Sequence, residues 1–101
     1  MKINELSKLI LPTLARYGII RAAVFGSFAR GESTKTSDID LLVEFPQSAS
    51  LLDLVGLTQD LETLLKRKVD VITYDSIHPL LKDEILAEKV DIYEQAKTKV
   101  H

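Results

Sequence analysis

Gly26-Ser27-Phe28-Ala29-Arg30-Gly31-Glu32, followed after a short polar gap by Ser37-Asp38-Ile39-Asp40-Leu41-Leu42-Val43, couples a turn to the start of an apolar strand. Over residues 38–45 the side chains alternate with the two-residue period of β-structure. Ile39, Leu41, Val43 and Phe45 share one face, and Asp38, Asp40, Leu42 and Glu44 share the other. The first face is wholly apolar and has to pack against helices. The second opens with two acids side by side. Just upstream, residues 19–25 are short and apolar, with β-branched residues towards each end, and read as a strand running into Gly26-Ser27.

Around this centre, helical and strand patterns alternate. Leu6, Leu9, Ile10, Thr13, Leu14 and Tyr17 predict a helix over residues 4–17, kinked or restarted at Pro12 and stopped by Gly18. Ser50 with Asp53 resembles a capping box. It opens a helix to about residue 66, with Leu51, Leu54, Val55, Leu61, Leu64 and Leu65 on or near its buried stripe. Residues 68–74 form a third strand, on which Asp70 shares a face with Ile72 and Tyr74. His78-Pro79 starts a helix running to about residue 89, and residues 90–93 make a short last strand. The least ordered parts should be residues 46–50 and a polar tail after Gln95, with His101 at its end. These elements predict an α/β fold: one domain over residues 1–101, a small mixed sheet with helices mainly on one face.

Asp38 and Asp40 are two residues apart on one strand, which separates their α-carbons by roughly 6.5 Å. From there both carboxylates can reach one magnesium, with oxygen bonds of about 2.0–2.1 Å, or bridge two ions. Two ions about 3.5–4 Å apart stabilise the attacking and leaving oxygens of an in-line phosphoryl displacement. A third carboxylate is wanted near the nucleophile as ion ligand and base, and Asp70 is the candidate. An unpaired acid inside an apolar strand is costly and calls for such a role. Gly26 lets backbone approach closely, and the turn at Ser27 offers free N–H groups and a hydroxyl to a phosphate. Arg30, about one helical turn on, is placed to reach a phosphate oxygen from the same side. Gly-Ser, Asp-x-Asp or Arg30 alone would be an ordinary turn, solvated surface or exposed charge; their order and spacing together predict nucleotidyl transfer.

Composition narrows the partners. The 13 Lys and Arg nearly balance the 15 Asp and Glu, for a formal charge of −2. That argues against a generally basic nucleic-acid surface. No cysteine is present, so disulfides, thiolate zinc sites and a cysteine nucleophile are excluded. That suits a cytoplasmic protein. No apolar run approaches the length of a membrane span, and no signal-peptide pattern is found. His78 and His101 have no metal-ligand partner at useful spacing, and His78 reads as a cap or an exposed residue. Lys66-Arg67-Lys68 reads as the solvated end of a helix.

Gly26-Ser27, ten residues, then Asp38-Ile39-Asp40 resembles the signature of the DNA polymerase β-type nucleotidyltransferase superfamily. The wording GSFARGE…SDIDLLVEF and the compactness of the chain are similar to those of the minimal nucleotidyltransferases, the MNT-domain antitoxins of MntA type. The resemblance covers most of the chain, and Phe28 stands where many relatives have Tyr. It implies a magnesium-dependent enzyme that transfers AMP from ATP to a tyrosine hydroxyl on a partner HEPN-domain RNase toxin. By the same resemblance Asp38, Asp40 and Asp70 are the metal-binding triad, with Asp70 as base. Gly26 and Ser27 become the phosphate-binding turn, and Arg30 a triphosphate contact.

Two alternatives remain open at this point. One is a binding antitoxin that neutralises the toxin by covering it; the other is transfer to a small hydroxylated compound. Little chain is left over to enclose a second small substrate, which favours an acceptor that supplies one wall of the site itself. A DNA-directed polymerase fits poorly with the acidic balance.

Overall fold

The computed structural model describes residues 1–32, 34 and 37–95; the tail after Gln95, His101 included, lies outside them. The elements in chain order are α1 (Ile3–Arg16), β1 (Arg21–Phe25), α2 (Gly26–Ala29), β2 (Ile39–Glu44), α3 (Leu51–Leu65), β3 (Val69–Thr73), a 3-10 turn (Tyr74–Ser76), α4 (Lys82–Glu88) and β4 (Val90–Glu94). The strands form one sheet in the order β3-β2-β1-β4. β1 pairs antiparallel with β2 and β4, whereas β2 and β3 run parallel and are joined through α3. The expected mixed α/β architecture is present.

Alternation in the strands sorts the core into two unequal parts. Ala22, Val24, Ile39, Leu41, Val43 and Val69 turn to one face and pack with Leu6, Ile10 and Leu14 of α1 and Leu57, Leu61 and Leu65 of α3. On the other face Ala23 and Leu42 meet Ile77, with Ile72, Tyr74, Ile85 and Leu86 packed around them. The larger cluster explains why the main helices lie on one side. The smaller one covers only part of the opposite face, with Phe25 packed at its edge beside Asp40. Among the described residues no helix is long and apolar enough to cross a membrane.

Several local expectations need correction. α1 continues through Pro12 rather than restarting there. Proline removes the bond its N–H would give to the carbonyl of Lys8, and both residues lie on the exposed side, where water can satisfy that carbonyl. Leu9 falls on that solvent side too, 46% exposed. The buried stripe of α3 is Leu57, Leu61 and Leu65, whereas Leu51, Val55 and Leu64 are exposed. The last helix begins at Lys82 rather than at Pro79. Residues 78–82 instead form a turn, with Leu81 N–H bonding the His78 carbonyl at 2.9 Å and Leu80 N–H bonding His78 Nδ1 at 3.1 Å. His78 thus serves as a local cap. Residues 46–50 hold a tight turn, in which Ala49 N–H bonds the Pro46 carbonyl at 3.0 Å.

The helix ends follow their sequence signals. Gly18, at φ +71, lets Ile19 N–H return to the Leu14 carbonyl and close α1. Ser50 N–H donates to the Asp53 carboxylate at 2.8 Å and opens α3. At the far end of the sheet the Arg21 guanidinium lies 3.9 Å from the centroid of the Tyr74 ring. Among the described residues the buried Tyr74 hydroxyl has no hydrogen-bond partner. Tyr74→Phe should therefore leave stability unchanged or raise it by up to about 1 kcal/mol, since an unpaired buried hydroxyl costs free energy. Urea melts of the two proteins measure this; a loss above that size would show that the hydroxyl is bonded in solution.

Candidate active site

The site gathers where β1 ends and β2 and β3 begin. Phe25 is paired across the sheet with Asp40, so the chain leaving β1 passes directly beside that acid. Gly26 then takes φ +71, which a side chain rarely tolerates, and starts the helical turn α2. A Cβ built on Gly26 would overlap Oδ2 of Asp40 and come 3.3 Å from its Cγ. Glycine is needed here twice over, for conformation and for room. Arg30 N–H bonds the Gly26 carbonyl at 3.2 Å and Glu32 N–H bonds the Ser27 carbonyl at 2.9 Å, which closes the turn. Ser27 lies at its start, where backbone N–H groups lack helical partners and suit an anion.

Asp40 and Asp70 are direct neighbours in the parallel register of β2 and β3. In-register residues point to the same face, so their carboxylates lie side by side about one strand spacing, ~4.8 Å, apart at the backbone. The Asp40 carboxyl is held above the usual carboxylate range. Burial is the main cause, followed by the negative charges of Asp70 and Asp38 and hydrogen bonding with Asp70; the Arg30 charge opposes them. All three predicted acids thus act on one point. Asp38 itself is exposed, on the residue before β2.

Two expectations come out differently in detail. Among the described residues no three His, Cys, Asp or Glu side chains converge tightly enough to form a ready metal cage. Three like charges repel, and among the described residues Asp38 has neither a hydrogen bond nor an ion pair to draw it inward. The donor set still fits a hard divalent cation: it is all carboxylate oxygen, and its central member carries a charge penalty that a cation would relieve. Arg30 does not turn to Ser27. Its guanidinium pairs with Glu32 at 2.9 Å and with Glu88 of α4 at 3.2 Å.

The sequence profile of the nucleotidyltransferase domain matches residues 6–92. The chain belongs to the nucleotidyltransferase domain family. A Methanocaldococcus jannaschii relative provisionally named a protein adenylyltransferase, MJ0435, is 58% identical over 92 residues, covering 91% of this chain and 99% of its own. The protein adenylyltransferase MntA of Thermococcus cleftensis is 39% identical over 75 residues, covering 74% and 76%. Among solved structures, one provisionally described as a minimal nucleotidyltransferase superposes with a TM-score of 0.76 at 39% identity, covering 89% of this chain and 95% of that one. A complex of a tri-AMPylated Shewanella oneidensis HEPN toxin with an MNT antitoxin gives a TM-score of 0.71 at 18% identity, covering 92% and 73%. At that identity the likeness is one of fold.

This nucleotidyltransferase carries one site feature that sequence reading missed. Arg67, grouped with its neighbours as a solvated helix end, turns inward. Its Nε and Nη2 donate to the Ser37 carbonyl at 3.1 and 2.6 Å, and Nη2 also reaches the Thr34 carbonyl at 2.8 Å. The usable signal was slight: a basic residue between the end of α3 and the acid of β3. What aims it inward is Lys66, which ends α3 in the left-handed region at φ 55.

Proposed function

We propose that this nucleotidyltransferase is a protein adenylyltransferase antitoxin that moves AMP from ATP to a tyrosine of a partner HEPN-domain toxin. The observation that carries the reading is Asp40, set between Asp70 and the Gly26 turn. The names of its relatives and the AMPylated toxin bound by a fold neighbour support it. In this reading the backbone N–H groups and hydroxyl of Ser27 bind the triphosphate. Asp38, Asp40 and Asp70 hold Mg2+, which when bound neutralises phosphate charge and acts as a Lewis acid. Asp70 accepts the proton of the tyrosine hydroxyl. The phenolic oxygen forms its bond to the α-phosphorus as the bond from that phosphorus to the β-phosphate bridging oxygen breaks, and pyrophosphate leaves. Arg30 is free to join the phosphates, because its two exposed ion pairs are worth little and yield to a polyanion.

The acceptor side is open. A groove of about 490 Å³ runs along the outer edge of β3, lined by Leu54, Val55 and Thr58 of α3 and by Val69, Asp70 and Val71 of β3. We assign this groove as the approach of a protein acceptor, since Asp70 is among its lining residues. We place the reaction in the cytoplasm, where ATP is supplied. The test is intact mass spectrometry of a cognate HEPN-domain toxin after incubation with this chain, ATP and Mg2+. Gains in AMP units are expected. An inhibited toxin of unchanged mass would overturn transfer in favour of neutralisation by binding.

A further inference from the structure

Asp38 is exposed, and its backbone is nevertheless held on both sides. The carbonyl before it, on Ser37, accepts two bonds from Arg67. The amide after it, on Ile39, donates to the Lys68 carbonyl at 3.0 Å. Both ties come from the two-residue link between Lys66 and β3, the strand that carries Asp70. The Arg67 guanidinium also lies 5.8 Å from the ring centroid of Phe28, the buried residue that follows Ser27 in α2. One side chain therefore touches the segments bearing the phosphate turn, the first acid and the third.

We infer that Arg67 is a positioning residue: it fixes the Ser37–Asp38 peptide, and so the direction in which the Asp38 carboxylate is presented, relative to Asp70 and Ser27. This rests on the proposed role of the three acids. The chemistry suits arginine specifically. A guanidinium offers several N–H donors in a rigid fork, and here one fork spans the carbonyls of Thr34 and Ser37. A lysine ammonium keeps the charge but has neither the fork nor the planar face to lie against Phe28. The bonds are charge-assisted, which makes them stronger than neutral ones, and the two to Ser37 are partly buried.

The test compares Arg67→Lys and Arg67→Ala with Lys66→Asn, a neighbour that loses a charge while keeping a residue tolerant of the left-handed region. Adenylyl transfer and the Mg2+ concentration that half-saturates the rise in Tm without nucleotide are measured for each, at a temperature where all are fully folded. Both Arg67 variants are expected to lose about 10- to 100-fold in kcat or in Mg2+ affinity, the usual cost of removing a partner that orients a metal ligand. Lysine should rescue little, KM for ATP should change far less than kcat, and Lys66→Asn should match wild type. Wild-type kcat and Mg2+ midpoint in both Arg67 variants would overturn the inference. So would losses that disappear once the folded fraction is equalised, or full rescue by lysine. Should wild type transfer no AMP yet respond to Mg2+, the transfer reading falls while the Mg2+ midpoint still decides Arg67. A wild-type chain unresponsive to Mg2+ removes the metal site and this inference with it.

Discussion

Asp40→Asn should cut adenylyl transfer by about 10³-fold or more and at the same time make the chain more stable. The first effect follows from losing the central carboxylate of the site, where several kcal/mol of transition-state stabilisation is at stake at about 1.36 kcal/mol per decade. The second follows from the raised pKa of Asp40, caused mainly by burial and then by the carboxylates of Asp70 and Asp38. A folded chain that binds this proton more tightly than the unfolded one is stabilised in full below the unfolded carboxylate's pKa, and loses that stabilisation as pH rises through the folded value. At neutral pH the penalty of charging Asp40 therefore stands, and asparagine removes it. The variant should melt a few degrees higher at pH 7, and its advantage should shrink as pH falls into the ordinary carboxylate range. Mg2+ should raise the Tm of wild type but not that of the variant, because binding to the folded state alone is stabilising. Calorimetric scans across pH, with and without Mg2+, measure all three. A variant less stable than wild type at neutral pH would mean that Asp40 is compensated in solution by a cation already bound.

Gly26→Ala is the second large effect, and here both quantities should fall. The left-handed backbone at φ +71 costs an alanine about 1–2 kcal/mol. The added methyl also overlaps the Asp40 carboxylate, which is anchored on β2 and cannot withdraw without leaving Asp70. We expect a total destabilisation of about 2–4 kcal/mol, within the range of steric and strained-backbone mutations, and transfer close to background. Asp40→Ala in the same chain separates the two causes. With the carboxylate gone only the backbone cost remains, so denaturant melts of the four proteins should give a favourable coupling of about 1 kcal/mol or more between the sites. Simple additivity would place the whole cost in the backbone and remove the steric argument.

Much of the fold could be read because its signals are local. The alternation at residues 38–45, the glycine after α1 and the Ser50–Asp53 cap each act within a few residues, and each element appears close to where it was expected. Errors arose where solvent or tertiary packing decides. Pro12 is harmless because the carbonyl it orphans faces water, which periodicity does not reveal. The stripe of α3 was misplaced because that helix is apolar on more than one side, with Leu51, Leu52 and Val55 exposed beside buried Leu57. In the candidate site, the turn at Gly26 and the strand start bearing Asp40 were legible from spacing. The approach of Asp70 to Asp40 depends on a parallel register that spacing does not encode. The inward turn of Arg67 and the engagement of Arg30 by Glu88 depend on single rotamers and on one left-handed residue. No composition or period announces these.

The parallel pairing of β2 with β3 has a consequence for how activity appears during synthesis. Asp40 and Asp70 are far apart in the chain and become neighbours only once the intervening crossover helix has docked and the later strand has joined the sheet. On the proposed roles of these residues, a nascent polypeptide still lacking β3 has the Gly26 turn and two of the acids but not the third. Competence arrives late and all at once. In that reading the enzyme stays incomplete until the parallel pairing of β2 with β3 has been made.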